Sequence, residues 1–139
     1  MKETAANRAQ AQRNADVAKI NAQYPNAQQT NSEIRYIIQK QGTGNKPTPG
    51  KTVSLNYTGR LLSGVVFDSS DVRGKPLEFQ VGTGVVIRGM DETALDMKVG
   101  EKRLVIIPPE LAYGDRIMGN GIIPANSFLI FEMELVDIR

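Results

Sequence analysis

KTVSLNYT, residues 51–58, alternates apolar and polar side chains, with Val53, Leu55 and Tyr57 at every second position. Successive side chains of a strand point to opposite faces, so this spacing predicts a half-buried strand. The same period recurs upstream in Ile34, Tyr36 and Ile38 and downstream in Leu77, Phe79 and Val81. GTGNKPTPG (42–50), Leu61-Leu62-Ser63-Gly64 and Gly82-Thr83-Gly84 read as the turns between these runs, the second leading into Val65–Phe67. Arg103–Ile107 and Phe128–Val136 complete the set, separated by a Gly- and Pro-rich loop, 108–127, of a length that is usually functional. One helix interrupts the strands. Met90, Ala94 and Met97 stand at i, i+4 and i+7, Asp91 and Glu92 sit where a helix dipole favours anions, and Gly100 marks the stop. The pattern predicts an α+β domain, an antiparallel sheet with one short helix.

Composition shifts near residue 32. Residues 1–31 are rich in Ala, Gln and Asn, with only Val17, Ile20 and Tyr24 as larger apolar side chains. Propensity predicts helix over 3–22, and Pro25 among Asn21, Asn26 and Asn31 marks its end and a linker. The apolar stripe is thin, so the expectation is a solvated, partly helical arm, 1–31, preceding a domain at 32–139; a weak dimer through the arm is the alternative.

Composition also excludes chemistry. The chain of 139 residues has no Cys and no His. Disulfides, thiolate nucleophiles, histidine-dependent triads and zinc-protease helices are therefore out of reach, and no cofactor or metal is expected. Residues 1–31 carry four basic and two acidic side chains, and the remaining 108 carry thirteen of each. Such a neutral domain lacks the basic face a nucleic-acid binder needs. No apolar run approaches the roughly 18 residues of a membrane span. MKETAANRAQ has no apolar signal-peptide core, which predicts a cytoplasmic protein if Met1 is native and a periplasmic or otherwise exported one if a leader was removed. Asp68 and Asp71 lie in a turn-forming stretch without converging acidic partners, against a glycosidase or metal pair. Gly82, Gly84 and Gly89 lack the spacing and βαβ context of a dinucleotide loop.

Six short motifs occur in order: Tyr57-Thr58-Gly59, Phe67-Asp68-Ser69-Ser70, Val86-Ile87-Arg88-Gly89, Ala112-Tyr113-Gly114, Gly121-Ile122-Ile123-Pro124 and Leu129-Ile130-Phe131-Glu132. Their order and spacing, from about Glu33 to Arg139, resemble the FKBP-type peptidyl-prolyl cis/trans isomerases. The resemblance implies a half-barrel, a strongly twisted antiparallel sheet curled around the short helix, with an apolar pocket between the two. Carried over by position, Tyr57, Phe67, Asp68, Val86, Ile87, Tyr113, Ile123 and Phe131 would form its walls, Met90 its floor and Leu77 a further wall.

The resemblance further implies an enzyme that accelerates X–Pro rotation in proline-containing peptides and unfolded proteins. In that reading Phe67, Ile87, Asp68 and Tyr113 carry catalysis, Ile87 through its backbone N–H and Tyr113 through its hydroxyl, while the other pocket residues bind substrate. Met90 stands where drug-binding members usually carry Trp, Leu77 where they carry an aromatic residue, and Asn120 near a frequent His, in a loop about one residue longer than the short form. Macrolides such as tacrolimus or rapamycin are therefore expected to bind with reduced affinity, because rigid aromatic contact area is lost. A proline-peptide or client-binding module with little turnover is the alternative.

Overall fold

The computed structural model describes residues 4–139. The predicted start of the first helix at Glu3, with Met1 and Lys2 before it, lies outside the described residues. In chain order the elements are α1 (Ala5–Gln23), β1 (Gln28–Gln29), β2 (Arg35–Lys40), β3 (Thr52–Leu61), β4 (Val66–Ser69), α2 (Ser70–Arg73), β5 (Leu77–Gln80), α3 (Arg88–Asp96), β6 (Lys102–Ile107) and β7 (Leu129–Ile138), with two 3₁₀ turns, Pro109–Leu111 and Gly119–Gly121. The strands form one sheet in the order β1-β2-β6-β7-β3-β4, with β5 also paired to β3, and every pairing is antiparallel. The curled sheet wraps α3, the half-barrel that the family resemblance implied.

The alternation in the sequence sets which side chains meet α3. Leu55, Tyr57, Val105, Ile107, Leu129, Phe131, Met133 and Leu135 share one buried cluster with Met90, Ala94 and Met97. Gly89 lets the helix approach, since a Cβ there would collide with the side chain of Ile107. Nine helical residues span only about 14 Å. The ten-residue strands β3 and β7 are each about 33 Å long. A helix so short leaves part of the sheet face uncovered.

Two buried polar networks hold this arrangement. The buried Arg103 guanidinium meets Glu101 at 2.6 Å and Asp96 at 2.9 Å and stacks 4.6 Å from the Tyr36 ring, tying the C-terminal end of α3 to β6 and β2. Asp91 is also buried. It accepts the Gly82 and Gly84 N–H groups at 2.6 and 3.1 Å, so a residue that stands in the first turn of α3, as the sequence predicts, also staples the loop before the helix.

The other face of the sheet departs from expectation. Leu104, Ile106 and Ile130 point away from α3 and form a second cluster with Phe128 and Ile20, Val17 and Tyr24 packing at its edge. Val17 and Ile20 of α1 with Tyr24 at its C-terminal cap, at i, i+3 and i+7, form a stripe narrow enough to miss as an amphipathic pattern, yet Ile20 is fully buried. The predicted helix is present, but one side of it is seated on the sheet rather than solvated. Replacing Ile20 by Ala should lower unfolding stability by about 2–4 kcal/mol in urea melts, through lost burial and the residual void. Asn21→Ala, on the exposed side, should stay within about 0.5 kcal/mol of the parent.

Candidate active site

Above the N-terminal end of α3, where the sheet face is uncovered, lies a cavity of about 320 Å³. Tyr57, Phe67, Asp68, Arg73, Leu77, Val85, Val86, Ile87, Met90, Tyr113 and Phe131 line it. They come from β3, β4, α2, β5, the loop before α3, α3 itself, the 108–127 loop and β7. Nine of the ten residues singled out from sequence therefore converge.

Two aromatic contacts shape one wall. Phe67 meets Phe131 edge to face at 5.6 Å and 88°, and Tyr57 is tilted against Phe131 at 6.1 Å. Offset and edge-on contacts of this kind suit the charge distribution of aromatic rings. Gly59 makes room for the pair: a Cβ at this position would lie 2.6 Å from Phe131 and 2.7 Å from Phe67. Met90, in the first turn of α3, is buried among the cavity-lining residues.

The polar groups divide into engaged and unengaged. Asp68 Oδ2 accepts the Tyr57 hydroxyl at 2.6 Å and Arg73 Nη2 at 3.3 Å, while Oδ1 accepts the Ser69 N–H at 2.9 Å. The carboxylate is thus held from three directions. Ser70 grips the Tyr57 backbone, its hydroxyl accepting the N–H at 2.9 Å and facing the carbonyl at 3.3 Å. Burial, followed by the hydrogen bond to the Asp68 carboxylate, pushes the Tyr57 phenol up to about 12. Burial likewise raises Tyr113. Among the described residues, neither the Tyr113 hydroxyl nor the Ile87 N–H has a hydrogen-bond partner. These are two unengaged donors on residues that line one apolar cavity.

A model of the FKBP-type peptidyl-prolyl cis-trans isomerases matches residues 43–136, two thirds of the chain. The chain belongs to this family. FK506-binding protein 1A of Neurospora crassa is 55% identical over 107 residues, covering 76% of this chain and 88% of that protein. Peptidyl-prolyl cis-trans isomerase FPR2 of Saccharomyces cerevisiae is 50% identical over 95 residues, 68% of this chain and 70% of its own length. Among solved structures, AtFKBP13 superposes with a TM-score of 0.76 at 37% identity, covering 81% of this chain and 98% of that one. FkpA from Escherichia coli superposes with a TM-score of 0.81 at 34% identity, covering 93% of this chain and 60% of that one. This FKBP is accordingly a peptidyl-prolyl cis-trans isomerase.

One residue singled out from sequence falls outside the cavity lining. Ile123 is buried at 5% exposure in the main core and pairs with Met118 in a small ladder inside the 108–127 loop. Its neighbour Ile122 is half exposed. The apolar pair thus divides between core and surface, where the loop folds back on itself between Met118 and Ile123. Arg73 and Val85 line the cavity without being among the ten; Arg73 reaches it through Asp68, and Val85 follows Gly84 and sits at 65% exposure at the mouth. Its only signal was its place beside Val86 after a turn.

The raised Tyr57 pKa makes stability depend on pH. A phenol whose folded value lies above the ordinary 10 contributes stability that is complete below pH 10 and lost as pH climbs toward about 12. Denaturation free energy from urea melts should fall as pH rises across that window. Tyrosinate absorbance should show Tyr57 titrating late in the parent and earlier in Asp68→Ala.

Proposed function

We propose that this FKBP speeds rotation about X–Pro bonds by holding the prolyl ring in the cavity between sheet and helix, where water is largely displaced. Rotation about a peptide bond faces a barrier of about 18–20 kcal/mol because amide resonance gives the C–N bond double-bond character. Resonance also places negative charge on the carbonyl oxygen, which water stabilises. The twisted transition state is less polar at that oxygen, so an apolar cleft favours it over the planar ground state. No proton moves, which fits a chain without histidine or cysteine. An acceleration of about 10⁴–10⁶ corresponds to about 5.5–8 kcal/mol of selective stabilisation.

The roles follow from placement. Phe67, Phe131, Met90, Val86, Leu77 and Tyr57 surround the ring with apolar surface. The unengaged Ile87 N–H donates to one substrate carbonyl, and the Tyr113 hydroxyl donates to a second and orients the peptide. Asp68, its oxygens occupied by Tyr57, Arg73 and Ser69, orders the wall. Ile123 supports the loop from within the core. The observation that supports this reading best is the pairing of the edge-to-face Phe67–Phe131 wall with two unengaged donors in one cavity.

Proline-containing peptides and unfolded proteins are the substrates this cavity suits, in keeping with a role in protein folding. Macrolides such as tacrolimus or rapamycin would enter the same cavity with reduced affinity, since Met90 and Leu77 replace flat aromatic contact with adaptable aliphatic contact. Residues 32–139 carry the activity, and 1–31 form a non-catalytic extension. A weak dimer through that extension would have to use its polar side, because Val17, Ile20 and Tyr24 already pack inside the chain. Among the described residues no helix is long and apolar enough to cross a membrane.

The test is cis/trans exchange of a short X–Pro peptide, followed by NMR with catalytic amounts of protein. Exchange broadening should appear with the parent chain; its absence would leave a proline-binding module without turnover. Tyr113→Phe should slow exchange about 3- to 10-fold through the loss of one hydrogen bond. Asp68→Ala should also slow it while the fold survives, and Phe67→Ala should be the most damaging, since it removes a wall and leaves a void. If Asp68→Ala unfolds the domain, the carboxylate is structural first.

A further inference from the structure

The N-terminal helix grips the loop that delivers Tyr113. Arg13 Nη1 donates to Glu110 Oε2 at 2.9 Å and Nη2 to Glu110 Oε1 at 2.7 Å, a two-pronged contact between residues 97 apart in sequence. The same guanidinium lies 5.2 Å from the centre of the Phe128 ring, and Nη2 lies 4.0 Å from Glu33 Oε2. Arg13 therefore touches α1's own linker, the 3₁₀ turn Pro109–Leu111 and the residue before β7 at once. A planar fork meeting a carboxylate fixes direction as well as distance, which a point-like ammonium does not. The hydrogen bond draws the Glu110 carboxyl below its ordinary range, as expected for a pair made in the folded state.

Glu110 stands three residues before Tyr113. Between them the turn is tightly built: Ala112 and Gly114 both donate to the Pro109 carbonyl, at 3.0 and 2.8 Å, and Asn126 closes the loop by donating to the Gly114 carbonyl at 2.8 Å. A displacement at Glu110 thus passes to Tyr113 through short, stiff backbone. The linker after α1 makes a second tie, because Ser32 donates to Glu92 of α3 at 2.7 Å.

We propose that Arg13 is a positioning residue for isomerisation: through Glu110 it holds the turn that sets Tyr113, so the N-terminal extension governs turnover at a cavity it does not line. The inference rests on the reading of Tyr113 as the residue that orients the peptide. Small misplacements of an orienting group lower rate steeply, whereas apolar walls continue to bind the ring. Loss of Arg13 should therefore act on kcat and spare KM.

The experiment measures peptide exchange rates at several peptide concentrations for the parent, Arg13→Ala, Arg13→Lys, Glu110→Gln and the double variant Arg13→Ala/Glu110→Gln, with Lys19→Ala as a control on the same helix. Arg13→Ala and Glu110→Gln should each lower kcat about threefold to tenfold with KM held within about twofold. The double variant should be no worse than either single one, the signature of one shared contact. Arg13→Lys should recover part of the loss, and Lys19→Ala should match the parent. Hydrogen exchange supplies a readout independent of activity: the Ala112 and Gly114 amides should open faster in Arg13→Ala, while amides of β3 and β7 should not change. An active parent whose Arg13→Ala and Glu110→Gln variants turn over equally fast overturns the proposal. A parent without exchange activity defeats the functional reading instead, and unaltered Ala112 and Gly114 protection in Arg13→Ala then overturns the brace as well.

Discussion

The contact between Gly89 and Ile107 sets the distance between α3 and the sheet, and the cavity depends on it. Because Gly89 has no Cβ, the first turn of α3 can press directly onto β6. Met90, the next residue, is thereby buried beside the cavity, and the loop that precedes the helix brings Val85, Val86 and Ile87 to the same opening. The helix is too short to cover strands more than twice its length, so an apolar hollow is left open beyond its N-terminal end. A longer helix would fill the site with its own side chains.

Around that hollow, polar groups do structural work so that apolar ones can be presented. Asp91 accepts hydrogen bonds from two N–H groups of the loop before α3 with a buried carboxylate, which fixes the loop without any apolar core of its own. Asp68 does the same for the opposite wall through Tyr57, Arg73 and Ser69. The donors on Ile87 and Tyr113 have no hydrogen-bond partner among the described residues. This division between occupied acceptors and unoccupied donors suits a reaction in which carbonyl oxygens must be held and no proton transferred.

Much of this was legible in the chain. Period-two runs at Val53–Tyr57 and Leu77–Val81 fall within or beside β3 and β5, and Met90, Ala94 and Met97 face the core as their helical spacing requires. The motifs at Tyr57, Phe67, Val86, Tyr113 and Phe131 contain seven of the eleven cavity-lining residues, and Leu77 and Met90 follow by position, all through family resemblance rather than periodicity. One available signal went unread. Leu104-Val105-Ile106-Ile107 is apolar without alternation, and a strand with no polar face must be covered on both sides. That run already implied a partner for the outer face, which α1 supplies.

What the sequence by itself determined is the phase of each strand, the face of α3 and the exclusion of histidine and thiol chemistry, because these depend only on local spacing and on which residue types are present. Tertiary structure decided the rest. Whether α1 floats or docks depends on Leu104, Ile106 and Ile130 turning toward it, and those residues lie more than eighty positions away from Ile20. Whether Ile123 lines the cavity or the core depends on how the 108–127 loop pairs with itself at Met118. Asp91's role depends on two glycine N–H groups that only the folded loop brings within hydrogen-bond reach. Each is a question of convergence between distant segments, and convergence is set by sheet curvature and packing rather than by any local pattern.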